Sequence, residues 1–494
     1  MGRALAGALG LLLMLSSGGL PAQGADGSAP SPAPAPRRPS VLLILADDLG
    51  YGDLGCYGQQ KIKTPNIDRL AAEGMRFTSF YGGSAVCEPS RAALLTGRHT
   101  GHLSIRGESP LPQSLTGQET TMAQLLQLSG YRTGFIGEWE LGDRNSPGAP
   151  GSKGFEQCFG YLTPLAAHDR FPATLYRNEN GSERQVLVLE NQGRQGKYAD
   201  DFFSEAALNF LQINVPEAFN HYRPFFLYLP YTIAHANNEL AQLVGNGMQV
   251  PNDAPYSNEA WPQAEKNKAA MITRLDNYVG SLLQSLKDHR EEQNTIVIFT
   301  SDNGPHNEGG VDPKFFRSAG GLRGIKRDLH EGGIRVPFIV RWPFAVTAGT
   351  VSDLPCALWD VFPTVMEAAY SAAPRDIDGI SLLPTLTGQT QTNRHEFLYW
   401  ETHGTNGFCQ AVRMGDWKAL RAGADGPLEL YNLKADPTEK TNVADQHIDE
   451  LARIATYLKS ARTPDEHWPI KTPTQENGSA ADEGAAARQA TAGR

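Results

Sequence analysis

Two short apolar runs, each ending in acidic residues, constrain this chain more than any other feature. Residues Ser40 to Ala46 are continuously apolar after the serine and lead directly into Asp47-Asp48. Residues Thr295 to Thr300 repeat the pattern and lead into Ser301-Asp302-Asn303-Gly304. Runs of this length, rich in branched residues, read as strands buried on both faces, as in a parallel sheet. Carboxylates at the end of a buried strand are unfavourable unless a cation or a donor pairs them. For either pair alone a solvated turn is the plain alternative, since Asp is common there. Two such ends can converge on one hard cation, and carboxyl ends of strands are where open α/β sheets place their sites. An all-oxygen set of Asp47, Asp48, Asp302 and Asn303 favours Ca2+ or Mg2+ over Zn2+.

The rest of the chain alternates between helix and strand signals. Thr64 to Gly74 and Thr120 to Gly130 read as helices closed by glycine, and Met271 to Leu286 carries helical apolar spacing. Tyr131 to Gly137 and Pro224 to Pro230 read as further strands. Strands separated by helices predict an α/β fold, a large and mainly parallel sheet flanked by helices. Past Thr385 the pattern changes to short strands between Gly/Asp turns: Phe397 to Trp400, Gln410 to Met414, Trp417 to Leu420 and Leu428 to Tyr431. A helix follows with Ile448, Leu451, Ile454 and Leu458 on one face. These predict a small C-terminal antiparallel α+β subdomain. A length of 494 residues is consistent with two domains. The expected boundaries are a catalytic domain over 40–385, the subdomain over 386–470 and a polar, disordered tail over 471–494. A net charge of −10 argues against nucleic acid as a partner and requires that any attraction for anions be local.

The chemistry concentrates in three further places. Cys87-Glu88-Pro89-Ser90-Arg91 lies between a glycine-rich turn and the run Ala92 to Gly97. His235 follows the strand at 224–230; a lone His is more often structural, but its acid/base range suits proton transfer near neutral pH. Residues 322–337 hold Arg323-Gly324-Ile325-Lys326 and then Glu331-Gly332-Gly333-Ile334-Arg335-Val336-Pro337. A basic cluster alone is usually a solvated face, but its glycines permit close backbone approach. C-x-P-S-R followed by A-x-L-x-T-G-R, the paired acidic strand ends and R-G-x-K with E-G-G-I-R-V-P together resemble the type I sulfatases, arylsulfatase-like members of the alkaline-phosphatase superfamily. The motifs occur in that family's order between about residues 40 and 420.

That resemblance implies a sulfuric ester hydrolase with an alkaline-phosphatase-like fold. It implies that Cys87 is oxidised to formylglycine by a formylglycine-generating enzyme, and that the hydrate attacks an aryl or carbohydrate sulfate. It implies that Arg91 orients the hydrate, that Lys326 and His235 contact the sulfate or its leaving oxygen, and that Asp47, Asp48, Asp302 and Asn303 bind Ca2+. One segment departs from the family pattern. Where many relatives carry G-K-W-H-L-G, this chain has Gly137-Glu138-Trp139-Glu140-Leu141-Gly142. Like charges about 4 Å apart cost about 4 kcal/mol at an effective dielectric near 20. Glu138 and Glu140, at these substrate-facing positions, are therefore expected to turn away from the ester; the alternatives are that they are protonated or form an added acid/base pair with a raised pKa, or that sulfatase activity is lost. Two rival functions follow: a pseudosulfatase that binds sulfated glycans without turnover, and a phosphoesterase of the same superfamily. Tyr231, Asn237 and Asn238 are candidates to read a sugar.

The first residues read as an export signal: Arg3, an apolar stretch to Leu15 and small residues near Ala25 predict a signal peptide over 1–24, then a Pro/Ala/Ser-rich linker over 25–39. No other stretch approaches membrane-span length. The expected localisation is therefore secreted, periplasmic or otherwise exported. Besides Cys87, four cysteines show no C-x-x-C spacing and leave disulfides or buried thiols open.

Overall fold

The computed structural model describes residues 37–109, 111–404 and 407–470. The expected signal peptide, all but the last residues of the expected linker and the expected tail lie outside the described residues. Ten strands form the main sheet, in the order Thr350–Ser352, Met75–Phe77, Phe338–Arg341, Thr295–Ser301, Ser40–Ala46, Phe225–Pro230, Arg132–Glu138, Gln157–Tyr161, Thr174–Glu179, Ser182–Leu187. From Thr295–Ser301 to Gln157–Tyr161 the pairing is parallel; antiparallel pairs follow on both sides, and the edge strand Thr350–Ser352 pairs in parallel with Met75–Phe77. The antiparallel Thr174–Glu179 and Ser182–Leu187 hairpin turns through Asn180 and Gly181, both at positive φ.

Every residue of Ser40–Ala46 is buried. Its side chains alternate between two cores: Val41, Leu43 and Leu45 enter one, Leu42, Ile44 and Ala46 the other. That two-sided burial explains the unbroken apolar run. Each fully buried Leu or Ile contributes about 2 kcal/mol. The 26-residue helix Gln263–Asp288 covers one face through Met271, Ile272, Leu275, Val279 and Leu282. The helix Cys87–Thr96 lies in the opposite core through Ala92 to Leu95.

The C-terminal strands Leu398–Thr402, Cys409–Met414, Trp417–Ala422 and Glu429–Asn432 form the expected antiparallel meander. Ile454 of the helix Ile448–Tyr457 packs on it. The meander is docked beside the loop that precedes Cys87. Trp400 Nε1 donates to Gly82 O at 2.9 Å, and Lys418 Nζ lies 3.0 Å from both Glu331 and Glu439 carboxylates. All five cysteines are free thiols.

Candidate active site

The helix Cys87–Thr96 carries the first half of the site. Cys87 stands at its first position, where backbone N–H groups and the helix dipole favour an anion. Arg91 follows one turn later, so both side chains leave the same helix face. The loop before the helix is tightly held. Ser90 Oγ donates to Ser84 O at 3.1 Å and accepts from Ser84 N at 2.7 Å. A Cβ on Gly82 would stand 2.3 Å from Asp302 O, so only glycine lets this loop approach the end of the neighbouring strand.

The strand ends carry the second half. Ser40–Ala46 and Thr295–Ser301 are adjacent and parallel, with Ala46 opposite Ser301, so their acidic ends arrive together. Oxygens of Asp47, Asp48 and Asp302 and the Cys87 sulfur all lie within 4.8 Å of one another. Asp48 takes a positive φ of 56° and its N–H donates to Asp302 Oδ1 at 3.0 Å. Asn303 Nδ2 donates to Asp48 Oδ1 at 2.7 Å, while Asn303 Oδ1 is buried without a hydrogen-bond partner. An orphaned amide oxygen beside three carboxylates is the donor set that a hard divalent cation takes. The four residues therefore fit the cation that the sequence implies.

Arg91 is fully buried and meets four carboxylates. Its Nη2 lies 3.0 Å from Asp47, 3.2 Å from Glu138 and 3.4 Å from Asp302, and its Nε lies 3.1 Å from Glu140. Glu138 and Glu140 thus turn inward, which corrects the expectation that they point away. The strand ends at Glu138, Trp139 is fully buried and donates to Gly148 O, and Glu140 takes a positive φ of 64° that brings its carboxylate to Arg91 beside that of Glu138. Burial, then Glu140, push Glu138 up to about 8. Burial outweighs Arg91 and holds Glu140 at about 8. Burial and Asp47 likewise bring Asp302 to about 8. Burial and the Asp47 carboxylate push the Cys87 thiol well above its ordinary value.

Lys326 and His235 close the ring. Lys326 Nζ donates to Asp48 Oδ2 at 2.9 Å. His235 Nδ1 faces Ala236 O at 2.7 Å, which makes it the donor and turns Nε2 toward Asp48, 3.6 Å away. Burial, then Lys326 and Arg170, hold the imidazole well below its ordinary range. All ten residues named from the sequence therefore meet in one place.

The structure adds residues that the sequence reading passed over. Glu308 lies 3.7 Å from His235 and 3.9 Å from Lys326, and accepts from Arg327. Burial would raise its carboxyl, but Lys326, His235 and Arg327 bring it to about 2. His168 stacks on His235 at 5.1 Å, and Arg170 Nη2 donates to His235 O at 2.7 Å. The pairing of Asp302-Asn303 with a glutamate and a histidine within six residues was the available signal. Two sugar-reading candidates are corrected. Tyr231 is fully buried and stacked on Tyr278, and Asn237 is spent capping the helix Asn238–Val244. Asn238 remains near the site, donating to Glu308 at 3.3 Å.

Known proteins share this arrangement of chain. The family model described as Sulfatase matches residues 39–371, and one described as N-sulphoglucosamine sulphohydrolase, C-terminal, matches residues 325–463. The chain is 32% identical over 491 residues to an N-acetylgalactosamine-6-sulfatase of Canis lupus familiaris, covering 93% of this chain and 85% of that protein. It is 32% identical over 499 residues to a steryl-sulfatase of Mus musculus, covering 83% and 79%. The crystal structure of Ps i-CgsB in complex with k-i-k-neocarrahexaose aligns with a TM-score of 0.73 at 27% identity, over 89% of this chain and 96% of that one. With a match that spans both acidic strand ends, the Cys87 helix and Lys326, the chain belongs to the sulfatase family of enzymes.

Proposed function

We propose that this sulfatase releases sulfate from a sulfated carbohydrate, using formylglycine made from Cys87 and a divalent cation, Ca2+ or Mg2+, held by Asp47, Asp48, Asp302 and Asn303. The observation that carries the reading is Cys87 at a helix N-terminus, 3.4 Å from Asp47 and one turn before Arg91. A buried thiol among carboxylates is a poor nucleophile, which favours a modified side chain at this position. When present, the formylglycine hydrate supplies the attacking oxygen and the cation supplies positive charge beside it.

The chain's own residues do the rest. Arg91, fixed by its carboxylate partners, orients the group at position 87. Lys326 offers an ammonium to the sulfate oxygens, where charge develops as the S–O bond breaks. His235, with Nδ1 donating to Ala236 O, presents an unprotonated Nε2 to the site; it accepts a proton there from the hydroxyl at position 87 as that oxygen attacks, and returns it to the departing alcohol. A carbohydrate substrate is supported by the sugar sulfatase among the relatives and by the oligosaccharide bound in the Ps i-CgsB structure. The two-metal phosphoesterase reading loses support, because the Lys326 ammonium already stands at the Asp48, His235 and Glu308 group where a second ion would sit. Maturation by a formylglycine-generating enzyme and export are parts of the same proposal. Among the described residues no helix is long and apolar enough to cross a membrane.

The test is peptide mass spectrometry of residue 87 in protein co-produced with a formylglycine-generating enzyme. Cys87 is expected to convert, and Cys87→Ala is expected to lower sulfate release at least about 10^3-fold without loss of fold. An unmodified thiol beside a converted control sulfatase sinks the catalytic scheme in favour of glycan binding alone.

A further inference from the structure

A cavity of about 590 Å³ opens between the Cys409–Met414 and Trp417–Ala422 strands and the loop that carries Lys326. Its volume falls in the range of about 300–1,000 Å³ typical of small-ligand sites. Four cationic residues line it, Arg323, Lys326, Arg327 and Arg421, against two acidic ones, Asp328 and Glu429. The surplus is positive in a chain whose net charge is −10.

Most of these charges are already engaged, and two are not. Arg327 is paired with Glu108 at 2.7 Å and Glu308 at 2.5 Å. Asp328 holds His330 at 2.5 Å, and Glu429 accepts from Tyr431 at 2.6 Å. Arg421 donates to the Gln410 side-chain oxygen through Nε and Nη2. Arg323 donates to Tyr431 and to Glu439 O. Among the described residues, neither Arg421 nor Arg323 has a carboxylate within 4.0 Å. Gln410 fixes one edge of the Arg421 guanidinium and leaves further N–H donors, in the fork geometry that takes a carboxylate or sulfate. The cavity adjoins the reacting centre: Lys326 in its wall reaches Asp48, and Arg327 in its wall holds Glu308 beside His235.

We propose that this cavity is a second-anion subsite. It receives the anionic group, carboxylate or sulfate, of the sugar next to the one that loses its sulfate, with Arg421 as the specificity-determining contact and Arg323 beside it. The proposal rests on the sulfated-carbohydrate reading above. It places the source of anion attraction in the small C-terminal sheet and makes the preferred substrate an acidic oligosaccharide rather than an isolated sulfated sugar.

The test uses the formylglycine-bearing enzyme and three disaccharides with the same sulfated sugar, joined to a neutral sugar, a uronic acid or a second sulfated sugar. The wild type is expected to favour an acidic neighbour about tenfold in kcat/KM, and Arg421→Gln to erase most of that ratio, with Arg421→Lys between them. Using the ratio cancels any loss common to all three substrates. Which acidic neighbour gains more identifies the anion. A second readout is calorimetric binding of the sulfate-free uronic acid disaccharide, whose Kd should rise about tenfold in Arg421→Gln. A wild-type ratio near one, a ratio untouched by Arg421→Gln, or binding indifferent to the substitution overturns the subsite. If no disaccharide releases sulfate, the carbohydrate reading fails, and the binding measurement alone still decides the cavity.

Discussion

Two buried charge clusters in this molecule use the same side-chain chemistry and end in opposite electrostatic states. At the strand ends, the five carboxyl groups of Asp47, Asp48, Glu138, Glu140 and Asp302 share Arg91 and Lys326. Where the C-terminal meander docks, Glu331 and Glu439 share Lys418, and Arg335 adds a second partner to Glu331. Burial raises the carboxyl in both places. In the first cluster it prevails at Glu138, Glu140 and Asp302, which sit near 8, and yields only at Asp48, which Lys326 holds below its ordinary value against burial. In the second, Lys418, Arg335 and Arg413 overcome it at Glu331 and bring that carboxyl to about 2, while burial still outweighs Lys418 at Glu439 and keeps it above its ordinary value. Matched buried charges act as a joint between elements. Surplus buried carboxylate marks a place built to receive a cation and a reacting ligand.

The largest expected effect breaks the first cluster. Asp302→Asn keeps the shape and the oxygen that accepts from Asp48 and Asn303 N–H, but removes one carboxylate from the crowded ring. Sulfate release should fall about 10^3-fold, because a cation ligand and a partner of Arg91 are lost together. Stability measured in chelator should rise by about 1 kcal/mol, since a buried carboxylate pressed against Asp47 is gone. A fall in stability would show that the ring is itself a joint.

The matching change in the second cluster should do the reverse. Lys418→Met leaves Glu331 and Glu439 buried without their shared ammonium, at a cost of about 3–5 kcal/mol. Urea unfolding reads this as a lower midpoint, while the folded fraction keeps its turnover. Acid provides a milder version. Glu331 is held below its ordinary value in the folded protein, so it stabilises the fold above pH 4.5 and the contribution disappears as pH falls toward 2. The loss amounts to about 3 kcal/mol. Glu331→Gln should be less stable at neutral pH and show a flatter decline across that window.

How much of this contrast was legible beforehand depends on the kind of signal. Ser40 to Ala46 and Thr295 to Thr300 announced themselves because two-sided burial leaves no room for polar residues, and their acidic ends carried the proposed cation ligands with them. The meander was legible from its turns. The helix beginning at Cys87 was harder, since every residue from Pro89 to Thr96 is buried and no polar face marks the helical period. Glu308 sits in a loop, where no periodicity applies, and its partners Lys326 and Arg327 come from a distant segment. The inward turn of Glu138 and Glu140 was not legible, because the strand stops at Glu138 and Glu140 takes a positive φ that no alternation rule anticipates. Charge repulsion argued for the opposite, and Arg91 outweighed it.

That last point yields the smallest and most discriminating test. Glu138→Gln preserves shape and, above pH 8 where Glu138 is ionised, removes one negative charge from the ring. Arg91 keeps Asp47, Glu140 and Asp302 as partners, so its position should hold. A sulfate ester bound beside Lys326 would then meet one anion fewer, worth about 1 kcal/mol at this range and effective dielectric. KM should fall about fivefold above pH 8 while kcat changes little, read from initial rates at fixed low salt, and the difference should fade as pH drops below 8 and Glu138 is protonated. A collapse of kcat instead would mean that Glu138 is needed to hold Arg91 or to carry a proton. Its charge would then be part of the catalytic balance, and the surplus of carboxylates would be smaller by one than the contrast with the Glu331 cluster implies.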